Sequence, residues 1–390
     1  RRQRQMCIRD RLVPLARRLE AEGARILYLN LGDPLKYDFE TPRHVREALA
    51  AAAEDGYNHY SPSEGDPGLR EAIAERESRV KGVRIEPGDV IVTQGVAEAI
   101  GLTMAALLNP GDEILLPDPT YPLYVTHARV YEAVPVGYRC DPQRGWSPDL
   151  DDVRKRLTGR TKAIVVINPN NPTGAVYPRR VVEGILDIAA EHGLVVISDE
   201  IYDQIVFEGE AVGAAALARD VPVICFNGFS KAHLMTGWRL GYLYVYDPVG
   251  SADRLKEALV GMARTRLSAA TPIQRAGIAA LKGPQQHVDR LVQELKRRRD
   301  YACRRLAEMG LVHARPRGAF YVFPRLPEAL NMGDREFAEK LLLEEHVLVV
   351  HGSGFGVYGQ GHIRLVFLPP METMEEAFYR IERFIGRHSR

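Results

Sequence analysis

The chain contains the apolar run Ala163-Ile164-Val165-Val166-Ile167, which leads directly into the polar loop Asn168-Pro169-Asn170-Asn171-Pro172-Thr173-Gly174. A second run, Leu194-Val195-Val196-Ile197-Ser198, leads in the same way into Asp199-Glu200-Ile201-Tyr202. Short continuous apolar runs are typical of strands buried on both faces of a parallel sheet. Because ligands of open α/β sheets bind beyond the carboxyl ends of the strands, both polar segments are predicted to lie at a ligand site.

Helical and strand patterns alternate from about residue 41 onward, at intervals typical of βα units. Thr41-Pro42 and Asp66-Pro67 each indicate a helix N-cap followed by proline at the first helical position. The series predicts an α/β domain over residues 46–283, with a mostly parallel sheet sandwiched by helices. The further strand candidates are Ile91–Thr93, Glu113–Leu116, Val223–Phe226 and Tyr242–Tyr246.

The pattern changes after about residue 281. A long, basic, amphipathic helix is predicted over residues 284–309, followed by a helix and by the strand candidates Gly318–Phe323, Val347–Val350 and His362–Phe367. This mixture indicates a smaller α+β domain over residues 284–390.

The composition is that of an ordinary globular protein with no charge bias. The 390 residues exceed the usual size of one hydrophobic core, so two domains are expected. Lys+Arg 52 against Asp+Glu 51 gives no reason to expect nucleic acid or an anionic membrane as a partner. No apolar stretch is long enough for a membrane helix or a secretory signal. The four cysteines, Cys7, Cys140, Cys225 and Cys303, lack metal-ligand spacing, so we expect no metal and a cytoplasmic location.

Residues 1–11 form a basic stretch unlike the rest of the chain. They are more similar to a translated sequencing adapter than to a native N-terminus, and a native basic arm is the alternative. We expect a non-native or disordered tail and exclude it from the fold.

Lys231 has the neighbours that a nucleophilic lysine needs. Ser230 precedes it and Arg239 follows within Gly237-Trp238-Arg239-Leu240-Gly241, so a hydroxyl and a guanidinium suited to phosphate lie on either side. An amine beside phosphate-binding groups, with glycines that allow close backbone approach, suggests pyridoxal phosphate held as a Schiff base.

The polar residues after the two apolar runs suit the ring of such a cofactor. Asp199 can pair with the pyridine nitrogen, while Asn171 and Tyr202 can donate hydrogen bonds to the ring oxygen. The segment from Gln94 to Ala99 follows a strand and opens a helix, so the backbone N–H groups of Val96 and Ala97 can bind the phosphate.

The motifs occur in one order along the chain: Asn168–Gly174, Ser198–Tyr202, Ser230-Lys231 with Gly237–Gly241, and finally Arg364. In this the chain resembles class I/II pyridoxal phosphate-dependent aminotransferases of fold type I, over residues 29–383. Three further segments are most similar to the alanine aminotransferase branch: Leu31–Pro34, His351–Gly356 and Arg364–Pro370.

The resemblance implies roles for these residues. Lys231 would hold the cofactor and move the proton between the substrate Cα and the cofactor, with Asp199 and Tyr202 assisting. Tyr121 would stack on the pyridine ring, and Tyr60 would reach the phosphate of a neighbouring subunit, which implies a homodimer. The N-terminal segment, residues 12–45, would join the small domain.

On the substrate side, the resemblance makes Arg364 the fork for the α-carboxylate, aided by Asn171 and by the close backbone approach that Gly32 permits. One departure is Gly228, where many relatives place a serine that binds the phosphate.

The expected reaction is transfer of the amino group from alanine to 2-oxoglutarate with broad specificity. Aspartate or aromatic substrates and a carbon–sulfur lyase are the alternatives, and Arg264 and Arg266 are candidates for a second carboxylate site. A DNA-binding regulator is disfavoured, since no helix-turn-helix fits before Leu29. The fingerprint-like Gly354–Gly359 leads into a strand and not a helix, which disfavours a dehydrogenase.

Overall fold

The computed structural model describes residues 9–389, with side chains described from residue 12. Its α-helices are α1 Arg9–Ala21, α2 Arg43–Glu54, α3 Pro67–Lys81, α4 Val96–Leu107, α5 Pro122–Val130, α6 Leu150–Arg156, α7 Arg179–Glu191, α8 Asp253–Arg264, α9 Thr271–Lys282, α10 Gln286–Glu308, α11 Asp334–Glu345 and α12 Met371–His388. Its strands are β1 Leu27–Tyr28, β2 Val90–Thr93, β3 Glu113–Asp118, β4 Val134–Asp141, β5 Ser147–Pro148, β6 Thr161–Ile167, β7 Val195–Asp199, β8 Val223–Gly228, β9 Gly241–Tyr246, β10 Tyr321–Val322, β11 Val347–Leu348, β12 Val350–His351 and β13 Ile363–Val366. Helix α1 begins inside the stretch predicted as a tail, and residues 1–8 lie outside the described residues.

The large sheet has eight strands in the order β2-β9-β8-β7-β6-β3-β4-β5. The central pairs from β8 through β7, β6 and β3 to β4 are parallel, whereas β9 pairs antiparallel with both β8 and β2. The predicted α/β class with a mostly parallel sheet is confirmed. Strand β4 was missed, because this strand next to the sheet edge contains a proline and a glycine and is only partly buried.

Both faces of the large sheet are buried, as the apolar runs predicted. Ile164 and Val166 belong to one apolar core, and Ala163, Val165 and Ile167 belong to the core on the opposite face. Alternate residues of a strand point to opposite faces, so this run needs apolar residues at every position. The arrangement leaves only the strand ends available for polar side chains.

The C-terminal residues form a third apolar core together with the N-terminal segment. Strand β1 pairs in parallel with β11, and β13 pairs antiparallel with β10 and β12. The strand predicted over Gly318–Phe323 is shorter, and the one predicted over Val347–Val350 is divided between β11 and β12. Helix α10 covers nearly all of the long helix that was predicted over residues 284–309.

The described helices include none with the length and apolar character required to cross a membrane. Residues 9–389 likewise contain no cluster of three or more His, Cys, Asp or Glu arranged to hold a metal ion.

Candidate active site

Lys231 lies in the loop after β8 and reaches across to the N-terminal segment. Its Nζ donates to the carbonyl oxygen of Gly32 at 2.7 Å and lies 5.5 Å from the centroid of the Phe320 ring. The side chain is half-buried. The amine is thus held against a backbone carbonyl and an aromatic ring, an environment suited to a reactive lysine.

Asp199, the last residue of β7, is a buried carboxylate at the end of the sheet. Its Oδ2 accepts from the hydroxyl of Tyr124 at 2.8 Å, and its Oδ1 accepts from the backbone N–H of Ile201 at 3.3 Å. Burial raises the pKa of Asp199 to about 6, although both hydrogen bonds and the charge of Lys231 lower it. Such a carboxylate is suited to a ligand that brings a positive charge.

Arg364, on β13, is 8% exposed and points into the same region. Its Nη1 donates to Oδ1 of Asn171 at 3.0 Å and its Nη2 donates to the carbonyl of Asn30 at 2.6 Å. The guanidinium carbon lies 4.6 Å from the centroid of the Tyr321 ring. These contacts bring together two predicted substrate residues, Arg364 and Asn171, that are 193 positions apart.

Gly32 is the third predicted substrate residue, and its place leaves no room for a side chain. A Cβ at this position would lie 2.3 Å from the hydroxyl oxygen of Tyr321. Tyr321 in turn is 2.8 Å, oxygen to oxygen, from Tyr202, whose ring it meets edge-on. The hydroxyl of Tyr202, expected at a cofactor ring oxygen, thus already has a partner within the chain.

Helix α4 begins beside Arg239. The N-cap is Gly95, with φ of +77°, so the backbone N–H groups of Val96 and Ala97 fall in the first turn, where they have no partner within the helix. A Cβ on Gly95 would lie 2.4 Å from Nη2 of Arg239. Free helical amides, the positive end of the helix and a guanidinium make this a candidate phosphate site.

The backbone around Arg239 is held by its own side chain. Nη1 donates to the carbonyl of Thr236 at 3.0 Å, and Nη2 donates to the carbonyl of Gln94 at 3.3 Å. Arg239 has φ of +55°, which is uncommon for a residue with a side chain. Ser230, buried at the start of the same loop, is the other predicted phosphate group.

Three glycines explain why no serine stands at position 228. A Cβ on Gly228 would lie 3.0 Å from Cα of Gly241, and a Cβ on Gly241 would lie 2.8 Å from Cα of Gly95. Strands β8 and β9 and the start of α4 are therefore in backbone-to-backbone contact. A side chain at residue 228 would require the backbone of β9 to shift, and the absence of a side chain at Gly241 lets the start of α4 approach that strand.

Two predicted cofactor residues lie at the rim. Tyr121 is half-buried at the N-cap of α5, three residues before Tyr124. Tyr60 is 79% exposed in the loop between α2 and α3. Arg239 is exposed as well, so the phosphate end of the site is open to solvent in a single chain.

The candidates for a second carboxylate site are engaged with acidic partners. Arg264 lies 3.6 Å from Glu64, and Nε of Arg266 lies 2.8 Å from Glu98 in the first turn of α4. Arg264 thus contacts the loop before α3, and Arg266 contacts the first turn of α4.

The segment Lys36–Phe39, which follows Gly32 along the chain, is held in part by other elements of the small domain. Arg298 of α10 forms an ion pair with Asp38 and lies 4.9 Å from the centroid of the Phe39 ring. Tyr37 donates from its hydroxyl to the carbonyl of Tyr28 at 2.9 Å.

Sequence reasoning missed the roles of Tyr124 and Tyr321. Tyr124 follows Tyr121 by three residues, a spacing that places both on one side of helix α5, and this was an available signal. Tyr321 was assigned only to a strand, and nothing local indicates that its ring lies between Gly32 and Arg364.

The site offers an amine, a buried carboxylate, helical amides with a guanidinium, and a second guanidinium for a carboxylate. This set matches a phosphorylated pyridine aldehyde at its carbonyl, its ring nitrogen and its phosphate, with Arg364 left for an amino acid.

The comparisons with known proteins agree with this geometry. The model of the family described as aminotransferase class I and II matches residues 25–381, so this chain belongs to that family and is an aminotransferase of fold type I.

Several of its relatives within the family are named alanine or glutamate-pyruvate aminotransferases. The alanine aminotransferase of Mycobacterium tuberculosis (strain ATCC 25618 / H37Rv) is 40% identical over 381 residues, covering 95% of this chain and 88% of the relative. The glutamate-pyruvate aminotransferase AlaA of Escherichia coli (strain K12) is 36% identical over 386 residues, covering 97% and 95%. The solved alanine aminotransferase from Pyrococcus furiosus is 50% identical, covers 97% of both chains and has a TM-score of 0.94.

Proposed function

We propose that this aminotransferase binds pyridoxal phosphate at Lys231 and transfers the amino group of alanine to 2-oxoglutarate. One observation supports it most directly. Lys231 and Arg364 donate to the carbonyls of Gly32 and Asn30, which are two residues apart in one segment. An amine and a carboxylate-binding fork are therefore held by nearby carbonyls of the same segment, as one α-amino acid substrate requires.

Each residue of the site has a distinct task in this reaction. Bound pyridoxal phosphate would supply a protonated pyridine ring that accepts the electron pair left when an amino acid loses its α proton. Lys231 moves that proton at the substrate Cα, and Arg364 holds the α-carboxylate. Asp199 keeps the ring nitrogen protonated, an attraction of roughly 4 kcal/mol at an effective dielectric near 20. Arg239 and the first amides of α4 hold the phosphate.

The proposed preference for alanine draws on the names of the relatives and on the aromatic lining. Phe320 and Tyr321 fill the space around Lys231, Gly32 and Arg364, which favours a small side chain. Because an apolar pocket separates related side chains by only about 1–3 kcal/mol, specificity is expected to be broad.

A donor screen with 2-oxoglutarate as acceptor tests the proposal. Alanine is expected to give a higher kcat/KM than aspartate or phenylalanine. A clear preference for either of those would refute the substrate while leaving the aminotransferase assignment intact. Pyruvate and ammonia formed from an S-substituted cysteine, with no oxo acid present, would instead reveal lyase activity.

We further propose that the enzyme is a homodimer whose sites are shared. The support is Tyr60, exposed on a loop, together with the solvent-open phosphate end at Arg239. Symmetric dimers are the commonest oligomers. Chains with Lys231→Ala and chains with Tyr60→Ala, each weakly active alone, should regain activity when unfolded and refolded together. No recovery, or sedimentation showing a fully active monomer, would contradict a shared site.

A further inference from the structure

The N-terminal strap, defined as residues 29–39, crosses the site and is held from several sides. Two of its contacts are the hydrogen bonds from Lys231 to Gly32 and from Arg364 to Asn30. In the proposed reaction these two side chains must bind the cofactor and the substrate carboxylate. The strap therefore needs other contacts to stay in place during turnover.

One such contact joins Asp33 to Thr236. The hydroxyl of Thr236 donates to Oδ1 of Asp33 at 2.7 Å. The same oxygen accepts from the backbone N–H of Leu35 at 3.1 Å and so caps the short 3₁₀ turn Pro34–Lys36. The carboxylate is thus oriented from within the strap, directly after Gly32.

Further hydrogen bonds connect Thr236 to the phosphate end of the site. The carbonyl of Thr236 accepts from Nη1 of Arg239, whose Nη2 donates to the carbonyl of Gln94 at the start of α4. An unbroken chain of hydrogen bonds runs from Asp33 through Thr236 and Arg239 to Gln94. Its two ends are the strap that approaches the substrate and the backbone that precedes the phosphate-binding amides.

We propose that Thr236 and Asp33 are positioning residues that couple the phosphate end of the cofactor site to the substrate strap. A phosphate bound by Arg239 fixes Thr236, and Thr236 fixes Gly32 through Asp33. This inference rests on the proposed function. Coupling between two binding sites is reciprocal, so loss of the link must weaken both the amino acid and the cofactor.

The test uses the holoenzyme with Thr236→Val, which removes the hydroxyl but keeps the carbonyl that Arg239 uses. The alanine concentration that half-saturates the single-turnover absorbance change is expected to rise on the order of tenfold, as for loss of a hydrogen bond to a charged group. The rate at saturating alanine stays within about twofold, because Lys231 and Asp199 are unchanged. Pyridoxal phosphate should dissociate about threefold to tenfold faster.

Thr236→Ser keeps the hydroxyl and should restore both values. Asp33→Ala breaks the same bond from the strap side, should give the same two changes, and should add nothing when combined with Thr236→Val. Asp38→Asn is the matched control, since Asp38 anchors the strap to Arg298 and has no hydrogen bond to Arg239. It should alter alanine binding without altering cofactor dissociation.

Faster cofactor loss in Thr236→Val and not in Asp38→Asn supports the coupling. Weaker alanine binding with unchanged cofactor dissociation would show that Thr236 only anchors the strap, and no change in either value would overturn its role. If Thr236→Ser failed to restore alanine binding and cofactor dissociation, this result would also overturn the role of Thr236. A chain whose absorbance shows no bound pyridoxal phosphate, before any amino acid is added, overturns the proposed function itself.

Discussion

Asp199 and Glu200 are adjacent at the end of β7, yet their carboxylates differ in whether they have a positively charged partner. Both are almost fully buried. Glu200 forms an ion pair with Lys81 and accepts from Ser198 at 2.7 Å. Asp199 has only neutral hydrogen-bond donors, and burial raises its pKa. One carboxylate is neutralised inside the fold, and the other is left for a ligand to neutralise.

Glu200 belongs to a buried ionic cluster formed by Arg76, Glu77, Lys81, Glu200 and Asp203. Arg76 lies 2.7 Å from Asp203, and Lys81 lies 3.9 Å from both Glu77 and Asp203. Burial alone would lower the pKa of Lys81, but the three carboxylates hold it above its usual value. A buried charge is thus stable where the fold supplies its partner, and poised for binding where the fold does not.

Substitution of Lys231 should have the largest effect on activity. Lys231→Ala should reduce turnover by at least about a thousand-fold, because both the cofactor link and the proton transfer are lost. Its melting temperature should stay close to that of the wild type, since Lys231 is half-buried and not part of the ionic cluster. Borohydride reduction of the loaded wild-type enzyme, followed by peptide mapping, should place the cofactor on Lys231. A label on any other lysine would falsify the assignment.

Glu200→Gln tests the structural side of the comparison. Removing this charge leaves Lys81 buried with weaker partners, which should lower the free energy of unfolding by about 3–5 kcal/mol in urea titrations. The matched control is Glu191→Gln, which breaks an exposed pair with Arg154 and should cost less than about 1 kcal/mol. Equal losses in the two variants would mean that burial of the cluster does not matter.

Asp199→Asn tests the functional side. An amide cannot hold the proton on the pyridine nitrogen, so the single-turnover rate with alanine should fall by roughly two orders of magnitude or more while the cofactor remains bound. Near-native rates in this variant would show that Asp199 has only a structural role.

The same substitution, Asp199→Asn, should increase the stability of the cofactor-free chain at neutral and alkaline pH. The pKa of Asp199 is about 6 when folded and roughly 3.9 in an unfolded chain, so its carboxylate destabilises the fold above pH 6. The Asn variant should therefore be more stable at pH 8 by about 1–3 kcal/mol, and this advantage should vanish as the pH falls to about 4. Thermal unfolding of the cofactor-free protein at both pH values measures it.

Tyr124→Phe should have the smallest effect. It removes the hydrogen bond that lowers the pKa of Asp199, so a larger share of this carboxyl would be protonated near pH 7. We expect kcat/KM for alanine to fall by less than about twofold at pH 7, because the loss of one hydrogen bond of about 1 kcal/mol raises this pKa by less than about 1. The loss should shrink at pH 8.5, where the carboxyl is ionised again. A loss independent of pH would point to packing of the ring.

Features that depend on residues close together in the sequence were predictable from the sequence alone. Strands β6 and β7 follow from apolar runs that are buried at nearly every position. Asp66 caps α3 with Pro67 at its first position, as predicted. The parallel order of the central strands then brings the polar ends of β6 and β7 together, which is why the motifs at Asn171 and Asp199 lie in one candidate site.

Other features were decided only by the packing of distant elements. Thr41 was predicted to cap α2, but that helix begins at Arg43, and the Thr41 hydroxyl donates to the carbonyl of Leu234. The pairs Tyr124–Asp199 and Thr236–Asp33 join residues 75 and 203 positions apart. Local sequence sets strand periodicity and helix caps within a few residues, since those depend on backbone geometry. The choice of partner for a buried polar side chain depends on which elements the folded core brings against it.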